Sequence, residues 1–432
     1  MAAYVVAPKV HQGLPGETPE LGRPGPYLLG TAVVDSVLAG RGTITASSAL
    51  TGRQPPADRT LPVRYWYPAN PDGKNPPVRY DHVMHFPGKP PFPVSSQGRA
   101  IADARPLAGA KFPLVLMSHG YGGWNTQFSN LAEHIASRGY VVAAIDHRDT
   151  VPDGVASFVL SFGNVLADRM LDQRQVLAQI ANDVQARKAP WLDLVDLVDL
   201  GNVGLIGYSM GGYGAIGSAG APYRFADGPL ANLPQAARDS LLQANSQPAP
   251  IKSLVLFSPW GGQPDSRAWD EAGLAKVAVP VLVVAGNRDD VVNFQDGVSW
   301  LFRSMTGAQR WMLVYREARH NIVGNAFELD DDSPFMAAEF LNEPVWRSDR
   351  LNAINQHFVT AFLDLTLKSE TGKRAYLDLP TVDSDGGEWL TSFAEQLNGT
   401  MAGPAQDQYW RGFQRRWATG LEMHQAAPGK PG

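Results

Sequence analysis

Cysteine is absent from this 432-residue chain. That absence excludes disulfides, thiolate metal sites and a cysteine nucleophile together, and it leaves the redox compartment open. Long apolar runs are missing as well. No window reaches the roughly 18 uninterrupted apolar residues of a membrane-spanning helix, so no membrane span is expected. Runs of lysine and arginine are equally scarce, charged residues make up 18% of the chain and the formal net charge is −5. Such a balance offers no footprint for nucleic acid. The opening residues Met1-Ala-Ala-Tyr-Val-Val-Ala-Pro-Lys9 lack a basic stretch followed by a long apolar one. A cytoplasmic location is therefore the expectation, although a trimmed secretion leader would leave the same sequence.

What is present is apolar, at 44% hydrophobic residues, and it comes in short pieces. Val63-Arg-Tyr-Trp-Tyr67 reads as a strand between breakers. Gly88-Lys-Pro-Pro-Phe-Pro93 is expected to lie outside regular structure, because its prolines remove donors and fix φ. From Phe112 onward a rhythm sets in. Phe112–Ser118, Tyr140–Ile145, Val203–Ile206, Leu254–Phe257, Val281–Val284 and Trp311–Val314 are short apolar strands separated by helix-length segments. One of those helices carries Phe128, Leu131 and Ile135; a longer one carries Leu166, Met170, Leu177, Ile180 and Val184. This alternation predicts an α/β fold, a mostly parallel sheet with helices on both faces. The expected boundaries are an N-terminal extension over 1–60, an α/β domain over 61–370, and a C-terminal extension over 371–432. Within the domain, residues 221–250 are a candidate pocket cover. The aromatic stretch 408–417 could pack on the core, cap the pocket or mediate a dimer. The three aspartates of Leu192–Leu200 read as the wet side of a helix or turn.

In such sheets the loops at the carboxyl ends of the strands hold the chemistry. Gly207-Tyr208-Ser209-Met210-Gly211 fits G-x-S-x-G, a nucleophile elbow. The pattern is short and weak alone, but here an apolar strand enters it and a small-residue helix leaves it. A serine hydroxyl needs a base to take its proton, and the base needs an orienting acid. Behind this elbow the acid precedes the histidine along the chain. Asp289 follows one strand, with Asp290 as its rival, and His320 follows the next. His357 lies in an amphipathic helix and reads as a packing or surface residue. Asp81, His82 and His85 have a chelating spacing without further ligands nearby, so no metal is assigned; Asp330-Asp-Asp-Ser333 reads as an exposed acidic loop rather than a calcium site. Two backbone amides suit a developing oxyanion. One is Met210 N–H, just after the nucleophile; the other is Tyr121 N–H, in the glycine-rich loop Ser118-His-Gly-Tyr-Gly-Gly123, which His119 would shape.

Phe112–Gly123 and Leu131–Arg148 resemble α/β-hydrolases of the dienelactone-hydrolase-like, platelet-activating-factor acetylhydrolase and bacterial cutinase branch. The resemblance spans roughly residues 61–325. It implies a carboxylic-ester hydrolase with Ser209, Asp289 and His320 as triad, an acyl-enzyme intermediate and no cofactor. Dienelactone hydrolases use a cysteine nucleophile, which this chain lacks, so that activity is not carried over. Acetylhydrolases place the acid after the strand that follows the elbow, where this chain offers Ser258; the acid moves to Asp289, as in cutinases. Trp260 falls where cutinase-like enzymes set an aromatic residue beside the acyl group, and a core role for it is the alternative. A small or lipid-like ester is the implied partner, for a monomer or homo-oligomer. An amidase or lipase with the same triad, or a non-catalytic binder on this fold, are the rival readings.

Overall fold

The computed structural model describes residues 17–41, 58–71, 73, 75–86, 89–149, 155–187, 192–327, 329, 331–388, 394, 398, 409–414 and 416–430. The strands begin with β1 (Leu29–Leu38), β2 (Arg59–Pro68), β3 (Pro77–Met84), β4 (Phe92–Ala102), β5 (Phe112–Ser118) and β6 (Val141–Ile145). They continue with β7 (Val198–Tyr208), β8 (Ser253–Phe257), β9 (Val281–Gly286), β10 (Arg310–Tyr315) and β11 (Leu421–Ala426). The helices used below are α1 (Ser129–Ser137), α2 (Val155–Ala186), α3 (Met210–Ser218), α4 (Gln235–Asn245), α5 (Phe335–Leu341) and α6 (Ser348–Leu367).

The wholly apolar runs form the centre of one sheet. β6, β5, β7, β8, β9 and β10 lie side by side and parallel. β5, β6, β8, β9 and β10 are buried at every residue, as strands covered on both faces must be. Alternate residues of β5 feed two cores: Leu114 and Leu116 pack with α2 and α3 on one face, Val115 and Met117 with α1 and α6 on the other. The expected fold class, α/β with a mostly parallel sheet covered on both faces, is the one observed. β7 starts earlier than the apolar run suggested. Its first residues belong to the aspartate repeat, and the pairing with β5 is irregular after Asp199, whose carboxylate accepts the Gly201 amide at 2.9 Å.

Outside this centre the pairing is antiparallel except between β1 and β4, which run parallel over Gly30 and Thr31. Phe92 and Pro93, expected outside regular structure, open β4 opposite Met84 and Val83 of the edge strand β3. β2 pairs with β6, β1 with β2, and β11 with β10 at the far edge, giving the order β11-β10-β9-β8-β7-β5-β6-β2-β1-β4-β3. Both regions set aside as extensions therefore contribute strands, β1 and β11, to the same sheet. Of the three options for the aromatic C-terminal stretch, its described part packs on the core. Tyr409, Trp410 and Phe413 are buried, and the Phe413 ring lies 5.7 Å from Phe358 of α6. His357 is buried beside them and accepts the Leu21 amide at 3.1 Å; burial pushes its imidazole down to about 3, so it packs as a neutral ring. In the segment considered as a pocket cover, α4 docks at the C-terminal end of α3, where Asn245 donates to the Gly217 carbonyl at 2.9 Å. Ser209 lies at the opposite end of α3. Among the described residues no helix is long and apolar enough to cross a membrane.

Candidate active site

β7 runs into α3 through Ser209, whose backbone is held at φ 51° and ψ −114°. A non-glycine residue pays about 1–3 kcal/mol for such a conformation, so its surroundings must enforce it. They do so with hydrogen bonds on both sides. Ser209 N–H donates to the Phe257 carbonyl at 2.9 Å, while its own carbonyl accepts from Tyr213 N at 3.0 Å and Trp260 N at 3.1 Å. The flanking glycines are required by contact: a Cβ on Gly207 would sit 2.4 Å from the Gly211 carbonyl oxygen, and one on Gly211 only 2.1 Å from that of Ser118. Ser209 is left 8% exposed.

Asp289 and His320 arrive from the loops after β9 and β10. Asp289 Oδ2 lies 2.8 Å from His320 Nδ1. The other oxygen, Oδ1, accepts the amides of Val291 at 3.0 Å and Val292 at 3.1 Å. Burial alone would raise this carboxyl, but the hydrogen bonds from His320 and the Val292 amide hold it below the usual carboxylate range. Asp290 points the other way, to an exposed ion pair with Arg319 at 2.9 Å. The Tyr208 ring lies 5.1 Å from the imidazole, and its hydroxyl donates to Asn321 Oδ1 at 3.3 Å. Tyr208 thus links the elbow to the histidine loop, a part that the unspecified second position of G-x-S-x-G did not single out. The Ser209 hydroxyl and the imidazole share no hydrogen bond; such contacts are often long before substrate binds.

The glycine-rich loop after β5 rides over the elbow. A Cβ on Gly120 would lie 3.3 Å from Ser209 Cβ. Neither Tyr121 N–H nor Met210 N–H has a hydrogen-bond partner among the described residues. Two unpaired amides flanking one serine are what an oxyanion would use. The Tyr121 side chain turns aside, donating to Ser161 at 2.9 Å and meeting Phe158 and Phe162 of α2 edge-on. Trp260 is 9% exposed and packs edge-on against Phe162 at 5.4 Å and Tyr213 at 5.7 Å. It belongs to the core and also touches the aromatic cluster beside Tyr121.

Of the alternative ligands, His82 stacks flat on Trp124 at 4.1 Å. Asp330 lies outside the described residues. Among the described residues no three His, Asp or Glu side chains are grouped as a metal site. Missed in the sequence were Asp149, Arg169, Asp172 and Gln173, and with them His147. These form a buried polar layer beneath the loop. The signal available was the segment Asp146-His147-Arg148-Asp149, placed straight after an apolar strand.

Comparison with known proteins adds the following. Residues 95–163 match the family described as platelet-activating factor acetylhydrolase, isoform II. The platelet-activating factor acetylhydrolase of Bos taurus is 43% identical over 47 residues, 11% of this chain and 11% of that protein. That of Canis lupus familiaris is 49% identical over 41 residues, 10% of this chain and 9% of its own length. The chain thus aligns with only about a tenth of the length of these relatives. Among solved structures, the ferulic acid esterase from Streptomyces cinnamoneus superposes with a TM-score of 0.53 at 20% identity, over 82% of this chain and 94% of that one. The chain has the α/β-hydrolase fold, and through residues 95–163 it resembles the platelet-activating-factor acetylhydrolase branch of the serine esterases.

Proposed function

We propose that this protein is a carboxylic-ester hydrolase in which Ser209 is the nucleophile, His320 the general base and Asp289 the residue that orients it. The observation that carries the reading is the 2.8 Å bond from His320 Nδ1 to a buried carboxylate, set beside a serine held in a strained elbow. With Nδ1–H engaged by Asp289, the free electron pair of the neutral ring sits on Nε2, the atom that must take the serine proton. Ser209 Oγ then adds to the ester carbonyl, and the carbonyl oxygen becomes an anion facing Tyr121 N–H and Met210 N–H. Collapse returns the proton from His320 to the leaving alcohol and leaves an acyl-serine. Water, deprotonated by the same imidazole, releases the acid. The local likeness to acetylhydrolases supports an ester as substrate.

A fluorophosphonate probe should label wild type once per chain and Ser209→Ala not at all. On p-nitrophenyl acetate the alanine variant should lose at least about a thousandfold in kcat, since removing a serine nucleophile costs up to about 10⁶ in a serine protease. An alanine variant that keeps more than about a hundredth of wild-type turnover overturns the assignment.

A further inference from the structure

The loop that presents Tyr121 N–H contains glycine at 120, 122 and 123, a composition that would leave its peptides free to rotate. Something else must fix them. Gly120 and Gly123 close a tight turn, with Gly123 N–H donating to the Gly120 carbonyl at 3.3 Å and Gly122 at φ +69°. The same carbonyl also accepts from His119 Nδ1 at 2.7 Å and from Arg169 Nη2 at 3.3 Å. His119 Nε2 accepts the backbone N–H of His147 at 3.0 Å, so the neutral ring carries its proton on Nδ1 and can donate. On the other side of Tyr121, Gly122 N–H donates to Asp149 Oδ2 at 2.9 Å. That carboxylate in turn holds Arg169 at 2.6 Å, in a pair whose side chains are 4% and 1% exposed.

A trans peptide points its C=O and the next N–H in opposite directions. Anchoring the Gly120 carbonyl on His119 and Arg169 therefore turns Tyr121 N–H away from them, and no described residue accepts it. From these contacts we infer that Asp149 and Arg169 are positioning residues for the oxyanion: they clamp the peptides on both sides of Tyr121 and so set the direction of its amide. The inference rests on the ester-hydrolase reading above. A second contact ties the other donor to the same helix. Gln173, one turn beyond Arg169 on α2, donates to the Gly211 carbonyl at 2.9 Å, next to Met210. α3 comes close enough to α2 that a Cβ on Gly214 would lie 2.8 Å from both Arg169 Cγ and Gln173 Nε2. One face of a long helix thus registers both amides against each other, which is the rigidity that preorganised donors need.

The test uses the full chain with p-nitrophenyl acetate, a trifluoromethyl ketone analogue of the tetrahedral intermediate, and a fluorophosphonate. One nitrogen, Arg169 Nη2, meets both Asp149 and the Gly120 carbonyl; Arg169→Lys keeps a charge beside Asp149 but ends one bond short of that nitrogen's position. The double change Asp149→Asn with Arg169→Met removes both charges, so that neither is left buried alone. Because a lost oxyanion donor costs about 10²–10³ in rate, a misdirected one should lower kcat about 10- to 100-fold. KM should stay within about threefold, as expected for an interaction made only in the transition state. Ketone affinity should fall by the same factor as kcat, while fluorophosphonate labelling stays at one per folded chain. Unchanged ketone affinity, or a loss of activity that follows only the loss of folded protein, overturns the clamp. A wild type that neither labels nor cleaves the ester removes the functional reading, and the clamp with it; a wild type that does both beside clamp variants of normal kcat removes the clamp alone.

Discussion

Replacing Asp289 with asparagine exchanges one carboxylate oxygen for an NH2 group, and the surroundings dictate which one. Oδ1 accepts two backbone amides, from Val291 and Val292. Turning an NH2 toward them would orphan both, at about 1–3 kcal/mol each. The asparagine therefore keeps its carbonyl there and presents NH2 to His320 Nδ1. Two donors cannot face each other, so the ring must move its proton to Nε2 and can no longer accept one from Ser209. The negative charge that would stabilise the imidazolium is also gone. The corresponding swap in a serine protease lowers kcat about 10⁴-fold, equivalent to about 5.5 kcal/mol of barrier. We expect Asp289→Asn to lose between about 10² and 10⁴ in kcat on p-nitrophenyl acetate by that precedent. Asp290→Asn removes only an ion pair whose carboxylate is 68% exposed, a kind of contact that contributes about 0–1 kcal/mol, so it should stay within about tenfold of wild type. Measured side by side, a crippled Asp290→Asn beside a healthy Asp289→Asn would refute the assignment of the acid.

Asp149 should make stability depend on acid. Burial raises its carboxyl, but Arg169 outweighs that and brings it from 3.8 down to about 2. A carboxyl lowered on folding stabilises fully above its unfolded value and loses that contribution as pH falls through the folded one. The stake is about 2–3 kcal/mol, and urea unfolding of Asp149→Asn should show a shallower decline in stability between about pH 4 and pH 2; an unchanged slope contradicts it. Gly211→Ala should cost about 3 kcal/mol or prevent folding, since its Cβ meets the Ser118 carbonyl oxygen at 2.1 Å; a variant with wild-type Tm would show that the elbow relaxes. Trp410→Ala should lower stability by about 3–5 kcal/mol, because its ring is wholly buried against α6, and equilibrium unfolding checks it.

Patterns that a residue writes in its own neighbourhood were legible. Unbroken apolar runs gave the central strands, because a strand buried on both faces has no polar side to display. Ser209, Asp289 and His320 were readable as candidates because each follows such a run. β1 was not read, since its burial alternates into exposure along Ala32–Leu38. β11 was hidden for a similar reason: Leu421-Glu-Met-His-Gln-Ala426 has a weak pattern, and its place in the sheet is set by pairing with β10, more than a hundred residues earlier in the chain. The layer of Asp149, Arg169 and Gln173 was missed because its logic is tertiary. Arg169 and Gln173 lie inside a helix whose sequence displays an apolar periodicity, and the groups they hold, the Gly120 and Gly211 carbonyls and the Asp149 carboxylate, belong to other segments.

The span matched to the acetylhydrolase family, residues 95–163, contains none of Ser209, Asp289 and His320. It contains the loop over the elbow, α1, β6, Asp149 and the start of α2. A side-chain nucleophile or base is encoded by its own residue type plus a local turn, and many sequences can supply that turn. An oxyanion donor is different, because a backbone amide is the same in every residue except proline. Its direction must be written into neighbours: glycines that permit the turn, a histidine of fixed tautomer, and a carboxylate that holds the next amide. A working oxyanion loop therefore demands more specific residues in one short stretch than the triad does. Arg169 lies just beyond the matched span, one helical turn and a half past its end, where α2 carries the clamp out of the local sequence and into the packing of the fold.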